Sequence, residues 1–191
     1  MARDNTASAL SPWRVQASRL VLVDRWIRVR ADDCRTAEGV EVAPFYVLEY
    51  PDWVHVVAVS PDQQILLIRQ YRHGVAAISL ELPAGVVDAA EDPLTAAARE
   101  LLEETGCRGE RPRTVHSSAV NPASHTNRVH TVLIEGVQVS GAPAQDPTEV
   151  IESLWVSREA AYAAACSGEL PALQAASLLA AYAQLGWLTL S

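Results

Sequence analysis

Apolar positions in the first part of the chain recur in short runs, with the spacing of strands. Residues 26–30 alternate between apolar and charged side chains, and Val54–Val59 and Ile65–Ile68 are short continuous apolar runs. Paired aspartates at Asp32-Asp33 are typical of a turn. The pattern predicts β-hairpins from Trp13 to Tyr71.

A helical pattern first appears at residues 93–105. Asp92 is a favourable N-cap, Pro93 suits the first helical position, and Gly106 suits the position just beyond the C-terminus. Apolar residues recur there at helical spacing and predict a buried stripe. The stripe comprises Leu94, Ala97, Ala98, Leu101 and Leu102.

Strands and then helices follow this first helix. Strand patterns lie at about 113–120, 128–135 and 150–156, before helices predicted from Ser157 to about Ser167 and from Pro171 to near Gly186. This order favours an α+β fold, a mixed α/β/α sandwich with an N-terminal antiparallel β-sheet, over a doubly wound parallel sheet.

We expect three regions along the chain. Residues 1–12 are expected to be flexible, and residues 13–50 to form an N-terminal β-hairpin region. Residues 51–191 are expected to form the main domain.

The composition is that of a soluble globular protein with an acidic excess. The 191 residues carry a net charge of −8, so the chain lacks the basic surface of a general nucleic-acid or membrane-surface binder. The N-terminus has no apolar signal-peptide core, and no apolar run reaches the roughly 20 residues that span a bilayer. Three widely spaced cysteines form no disulfide framework. We therefore expect a cytoplasmic protein.

The acidic residues are concentrated in one stretch. Residues 81–104 hold seven acidic residues and a single basic one, Arg99, which gives the stretch a net charge of −6. On a helix, Glu103 and Glu104 lie within roughly 60° of Glu100 on one face. Like charges at this spacing destabilise a helix. The cluster is therefore either a solvated acidic helix face or a site where a hard cation, Mg2+ or Mn2+, lies among the carboxylates.

The surroundings of these glutamates resemble the Nudix box, G-x5-E-x7-R-E-U-x-E-E-x-G-U, with U a bulky aliphatic residue. Nine defined positions over 23 residues match, and only Cys107, at the last U, is an approximate match. The other matching residues are Gly85, Glu91, Arg99, Glu100, Leu101, Glu103, Glu104 and Gly106. The resemblance implies hydrolysis of a nucleoside diphosphate linked to another moiety, with residues 51–191 as the Nudix domain.

The resemblance also implies roles for the box residues. The metal ligands would be the Ala84 carbonyl with Glu100, Glu104 and Glu103, and Arg99 would brace the loop through an ion pair with Glu91. Gly85 would permit a tight turn after a strand at 79–82.

Residues before the box are similar to those of the ADP-ribose pyrophosphatase group. The segment Arg69-Gln70-Tyr71-Arg72 is followed by Glu81-Leu82-Pro83-Ala84-Gly85, and Pro122 lies sixteen residues beyond Gly106. In that group the arginine matching Arg72 contacts the substrate phosphates, which suits a guanidinium. Alternatively, Arg69 and Arg72 are surface charges of an edge strand and Pro122 is an ordinary turn proline.

The sequence specifies the catalytic base and the residues that bind adenine less closely. The resemblance implies that a glutamate of the loop before the last strand is the base or orients the water, and Glu149 fits best, with Glu152 as the fallback. Adenine needs a stacking surface, for which the candidates are Trp26, Phe45, Tyr46 and Trp53. His125 and Arg128 could contact the ribose or phosphate, but loop surface is the favoured interpretation.

The leading interpretation is a Mg2+-dependent ADP-ribose or ADP-sugar pyrophosphatase that releases AMP and a sugar phosphate. The alternatives are a pyrophosphatase for another nucleoside diphosphate sugar, such as GDP-mannose, and a non-catalytic Nudix sensor module, which the intact set of box glutamates disfavours. The resemblance implies a nucleotide-sugar substrate and a homodimer.

Overall fold

The computed structural model describes residues 10–145, 148 and 150–188. Contacts within the chain group it into two compact units. The first comprises the described residues up to Tyr50 together with Asn121–Thr126, and the second comprises Pro51–Val120 and the described residues from Asn127 onward. No described helix is long and apolar enough to cross a membrane.

The first unit is built on an antiparallel sheet. Its strands, in spatial order, are β1 (Arg14–Val23), β2 (Arg28–Arg35) and β3 (Glu41–Leu48). The turn predicted at Asp32-Asp33 is wrong, because both residues lie inside β2. Asp32 is buried there, where Ser18 and Arg30 donate hydrogen bonds to its carboxylate. These local partners let a turn-forming residue occupy a strand.

The second unit contains two sheets. Its strands are β4 (Trp53–Ala58), β5 (Ile65–Arg72), β6 (Ala77–Glu81), β7 (Ala84–Val86), β8 (Cys107–Ala119), β9 (Arg128–Val139) and β10 (Ile151–Val156). One sheet has the order β7-β4-β9-β8 and the other has the order β10-β5-β6. The pair β4–β9 is parallel and the other neighbours are antiparallel. Because β5 is the middle strand of its sheet, Arg69 and Arg72 do not lie on an edge strand.

Strand β8 begins six residues earlier than its sequence pattern suggests. Residues 108–112 are polar or small and exposed, and they carry no alternation to reveal a strand. Pairing with β9 forms the strand, and register shifts interrupt that pairing on both sides of Glu110. The additional length therefore comes from tertiary pairing rather than from local propensity.

Each helix begins directly after the residue predicted to start or cap it, and the first helix also ends at its predicted C-terminal cap. Helix α1 (Pro93–Thr105) starts after Asp92, whose side chain accepts from the backbone N–H groups of Leu94 and Thr95, and stops at Gly106 with φ 68°. The second helix, α2 (Arg158–Ser167), is capped by Ser157. The third helix, α3 (Ala172–Gln184), follows Pro171.

Alternate residues of β4 pack against helices on opposite sides. Val54 and Val56 belong to a buried cluster that includes Ala97 and Leu101 of α1. Val57 belongs to a second cluster, which includes Ala161 of α2 and apolar residues of α3. The sheets are thus enclosed by α1 on one side and by α2 and α3 on the other. The predicted α+β sandwich with an N-terminal antiparallel sheet is confirmed.

Candidate active site

Arg99 connects helix α1 to the segment that precedes it. Its Nε and one terminal nitrogen donate to the two oxygens of Glu91 at 3.1 and 2.8 Å, and the latter nitrogen also donates to the Val86 carbonyl at 3.0 Å. The other terminal nitrogen donates to Glu100 at 2.7 Å and to Glu103 at 3.2 Å. A planar guanidinium can satisfy this many acceptors in fixed directions. Arg99 therefore fixes the 86–91 segment against the acidic face of α1.

The backbone at Ala84 and Gly85 meets two of the α1 carboxylates. The Ala84 N–H donates to the Glu104 carboxylate at 3.1 Å, and Glu104 is 5% exposed. A Cβ on Gly85 would lie 2.0 Å from the Glu100 carboxylate. Gly85 lies inside β7, so the expected turn is not the reason for a glycine here. The glycine is needed because Glu100 approaches the backbone closely.

The donors gathered at this point suit a hard divalent cation. The backbone at Ala84 and Gly85 and the carboxylates of Glu100 and Glu104 are brought together, and carboxylate and carbonyl oxygens are the ligands that such a cation prefers. Glu103 is half-exposed and is bound by Arg99. Among the described residues, no three His, Cys, Asp or Glu side chains form a ready metal-ligand cluster, and Arg99 holds both Glu100 and Glu103. Binding a cation would require these carboxylates to shift from Arg99 toward the ion.

Ion pairing sets the charge states around Arg99. Hydrogen bonds from Arg99 are the main cause of the lowered pKa of Glu91. The reciprocal bond to Glu91, followed by those to Glu100 and Glu103, raises the pKa of Arg99. At neutral pH the pair is therefore fully ionised.

A second ion pair lies on β5 and β6. Nε and a terminal nitrogen of Arg72 donate to the two oxygens of Glu81 at 2.8 and 2.7 Å. Burial by itself raises the pKa of Glu81, but the bonds from Arg72 and from Gln174 more than offset this and hold it below its usual range. Sequence reasoning did not identify Gln174, because a lone glutamine in an alanine-rich helix carries no motif.

The loop between β9 and β10 is attached to the end of α1. Gln145 donates to the carbonyls of Glu104 and Ile151 at 2.9 and 3.1 Å and accepts from the Ile151 N–H at 3.2 Å. Glu149, the expected catalytic base, lies outside the described residues. Glu152, the fallback, pairs with Arg69 across the β5–β10 register, 3.9 Å away. Side-chain alternation places Glu152 and Arg69 on the opposite side of β5 from Arg72.

Several candidates for binding the adenine of the substrate lie in the first unit. Phe45 contacts Trp13 edge-to-face at 5.7 Å, and Trp26 and Tyr46 are exposed. Pro122 lies in the β8–β9 loop, within the part of that loop that belongs to this unit. In that same part of the loop, His125 stacks on Tyr50 at 5.6 Å.

The remaining candidates belong to the second unit. Trp53 begins β4, where it pairs with Val86 of β7 and Val129 of β9. Arg128 donates to the Ser117 hydroxyl and carbonyl at 3.1 and 3.0 Å. These bonds hold the Arg128 guanidinium against β8.

Comparison with known proteins identifies two adjoining sequence families. The NUDIX domain matches residues 49–175. The nucleoside diphosphate sugar hydrolase N-terminal domain matches residues 13–48.

Curated relatives include hydrolases of nucleotide derivatives. An ADP-sugar pyrophosphatase from Mus musculus is 38% identical over 147 residues, covering 70% of this chain and 67% of that protein. An ADP-ribose pyrophosphatase from Bacillus subtilis is 29% identical over 114 residues, covering 59% and 62% respectively. A CMP-5'-(N-acetyl-N-hydroxy-3-aminopropyl)phosphonate hydrolase from Streptomyces rubellomurinus is 29% identical over 144 residues, covering 75% and 69%.

A solved structure shows the same fold. The crystal structure of an ADP compounds hydrolase matches with a TM-score of 0.82 at 19% identity, covering 94% of this chain and 97% of that one. The NUDIX match spans more than half of the chain, and the mouse relative is similar over two thirds of its own length. The chain therefore belongs to the Nudix family and is a Nudix hydrolase.

Proposed function

We propose that the enzyme hydrolyses the diphosphate of ADP-ribose or a related ADP-sugar. Water adds to one phosphorus and the phosphoanhydride bond breaks, so that ADP-ribose and water yield AMP and ribose 5-phosphate. The observation that carries the proposal is the arrangement of Ala84, Glu100 and Glu104 around the glycine of the box. The similarity to ADP-ribose and ADP-sugar pyrophosphatases supports the choice of substrate.

The cation we propose is Mg2+, with Mn2+ as a substitute. Nudix hydrolases generally use divalent metal ions, and hard oxygen donors favour Mg2+ or Mn2+. The Ala84 carbonyl, Glu100 and Glu104 would hold the ion, and Glu103 would join them on leaving Arg99. When bound, the metal neutralises the diphosphate and activates the attacking water.

The protein side chains have distinct proposed roles. Arg72 contacts the phosphates, and the carboxylate of Glu81, which is 3% exposed, accepts hydrogen bonds from Arg72 and fixes its orientation. Arg99 and Glu91 hold the box in place. Glu149 acts as the base or orients the water. Phe45 and Trp53 remain candidates for stacking on the adenine, and Pro122 for contact with the substrate.

A substrate panel tests the proposal directly. With Mg2+ present, ADP-ribose and other ADP-sugars are expected to have the highest kcat/KM, compared with GDP-mannose and a CMP derivative. A CMP substrate belongs in the panel because one relative is a CMP-phosphonate hydrolase. Much faster turnover of GDP-mannose would favour the alternative pyrophosphatase, and no turnover of any member would favour the non-catalytic sensor.

The metal site has its own test. Glu104→Gln removes a negative ligand but keeps the shape of the side chain, so we expect turnover to be abolished while the circular dichroism spectrum is unchanged. Glu110→Gln, at an exposed position of β8, is the matched control and should retain activity. Activity of Glu104→Gln equal to that of the wild type would refute the assignment.

We further propose that the enzyme is a cytoplasmic homodimer. All ten residues of β1 are exposed, including a run of four large apolar residues at Leu20–Val23. An exposed apolar edge strand favours pairing with another chain. Light scattering on the purified protein should give twice the mass of one chain, and a monomer at working concentration would contradict the proposal.

A further inference from the structure

Gln174 lies in the first turn of α3 and is buried, with 6% of its surface exposed. Both ends of its amide are used. The oxygen accepts from the backbone N–H of Leu82 at 2.5 Å, and the nitrogen donates to the Glu81 carboxylate at 3.0 Å. A buried amide is costly unless it is hydrogen-bonded, so these two bonds fix the side chain in one orientation.

Glu81 is held from two directions. Arg72 approaches as a two-pronged donor to both carboxylate oxygens, and Gln174 donates to one of them from α3. The carboxylate is almost fully buried, whereas the side chain of Arg72 is 46% exposed. The Arg72 guanidinium therefore faces outward, while the buried Glu81 carboxylate holds it in place. Without Gln174, the carboxylate would keep Arg72, the residue that it orients, and the side chain of Ser79 on its own strand.

From these contacts we propose that Gln174 is a positioning residue: it fixes Glu81, which in turn holds the Arg72 guanidinium in the orientation that receives an anionic diphosphate. This inference rests on the proposed function, in which Arg72 contacts the substrate. It assigns the C-terminal helix a part in substrate binding.

The same face of α3 supplies a control residue. Ser177, one turn after Gln174, is bonded to His55 of β4 at 2.9 Å and accepts from Thr131 of β9 at 2.8 Å. It ties the helix to the central strands without contacting Glu81. Ser177→Ala should therefore weaken the packing of α3 while leaving the Arg72–Glu81 pair in place.

The kinetic test uses Gln174→Met, which keeps the length of the side chain but removes both hydrogen bonds. We expect KM for ADP-ribose to rise about 10-fold, the effect of one charge-assisted hydrogen bond, while kcat changes less than about twofold, as for lost uniform binding. Ser177→Ala should leave KM unchanged. Equal changes in KM in the two variants would show that α3 contributes packing alone.

Gln174→Glu is a second variant that keeps the acceptor for Leu82 but loses the donor to Glu81. At alkaline pH two carboxylates would face each other, so KM should be raised. As the pH falls, a shared proton can restore the missing donor, and KM should return toward the wild-type value. The nearby charged or titratable groups are Arg72, Glu81 and His55. A KM ratio to wild type that does not change with pH would overturn the proposal.

A third measurement does not depend on turnover. The Nε–H resonance of Arg72, assigned by its loss in Arg72→Lys, should exchange slowly with water in the wild type because it is bonded to a buried carboxylate. Gln174→Met should accelerate that exchange, and Ser177→Ala should not. If the wild type hydrolyses no nucleotide sugar, the proposed function fails while this measurement still tests the positioning role. Unchanged exchange in Gln174→Met would refute it.

Discussion

At the scale of single residues, the site depends on close approaches as much as on charge. Gly85 is an example, because its missing Cβ leaves room for the Glu100 carboxylate. The obstructing atoms are the far end of a flexible side chain, so a substitution would displace Glu100 more than the backbone. Gly85 is therefore a residue where function and stability should separate.

We predict that Gly85→Ala lowers kcat/KM for ADP-ribose by about 10- to 100-fold, the range seen when the support of a metal ligand is lost. The melting temperature should fall by no more than about 2–4 °C, because Glu100 can swing aside. Gly141→Ala is the matched control, since a Cβ there meets nothing within 4 Å. Full activity in Gly85→Ala would show that catalysis does not require the Glu100 carboxylate at its observed position against Gly85.

The residues of the box and the ion pair of Arg99 with Glu91 could be identified from sequence, but contacts between distant parts of the chain could not. A fixed spacing on one helix predicted that Glu100, Glu103 and Glu104 share a face. The support that Gln174 gives to Glu81 crosses 93 positions in the chain, and no local pattern reports a contact of that kind. The reason for Gly85 was likewise missed, because it depends on a side chain brought near by tertiary packing.

At the scale of elements, boundaries with local chemical signals were predicted well. Helix α1 begins and ends where Asp92 and Gly106 require, because capping is a local interaction. The early start of β8 and the pairing of β7 with β4 were not predicted, since both arise from strand partners distant in the chain. The α+β class was accessible from the order of elements alone.

The β9–β10 loop provides a prediction at this scale. Gln145 joins the end of α1 to the start of β10 through three hydrogen bonds. Gln145→Ala should therefore remove this connection. We expect the Ile151 amide hydrogen to exchange with water about 10-fold faster, which corresponds to the loss of about one net hydrogen bond. The turnover of ADP-ribose should fall in parallel, because the loop carries Glu149. Gln138→Ala, at an exposed position of β9, is the control and should leave the exchange at Ile151 unchanged. Unchanged exchange at Ile151 in Gln145→Ala would contradict the prediction.

At the scale of the whole molecule, acidity is local rather than general. Most of the net charge of −8 comes from the stretch 81–104, whose charge of −6 already includes Arg99, and Arg72 from outside the stretch pairs with Glu81. A bound cation would neutralise more. The excess of carboxylates is therefore compatible with an anionic substrate.

The stability of the molecule should depend on pH through His55. This side chain is buried against Ser177, and desolvation lowers its pKa from 6.5 to about 4. Between these two values the unfolded chain binds a proton that the folded chain excludes. Stability is therefore complete above pH 6.5 and is lost as the pH falls toward 4, by about 3 kcal/mol from this group.

We predict that His55→Asn, which keeps a polar group near Ser177 but cannot titrate, removes this component. Urea denaturation from pH 7 to pH 4 measures the free energy of unfolding of both proteins, and the difference between the curves isolates His55 from the carboxylates. The variant should be less stable than the wild type at pH 7, because a smaller side chain packs less well, and the gap should narrow as the pH falls. His116→Asn, at an exposed histidine, should show the wild-type slope. Parallel curves for His55→Asn and wild type would mean that the imidazole is protonated within the fold. The burial of His55 against Ser177 of α3 would then not be a source of pH-dependent stability.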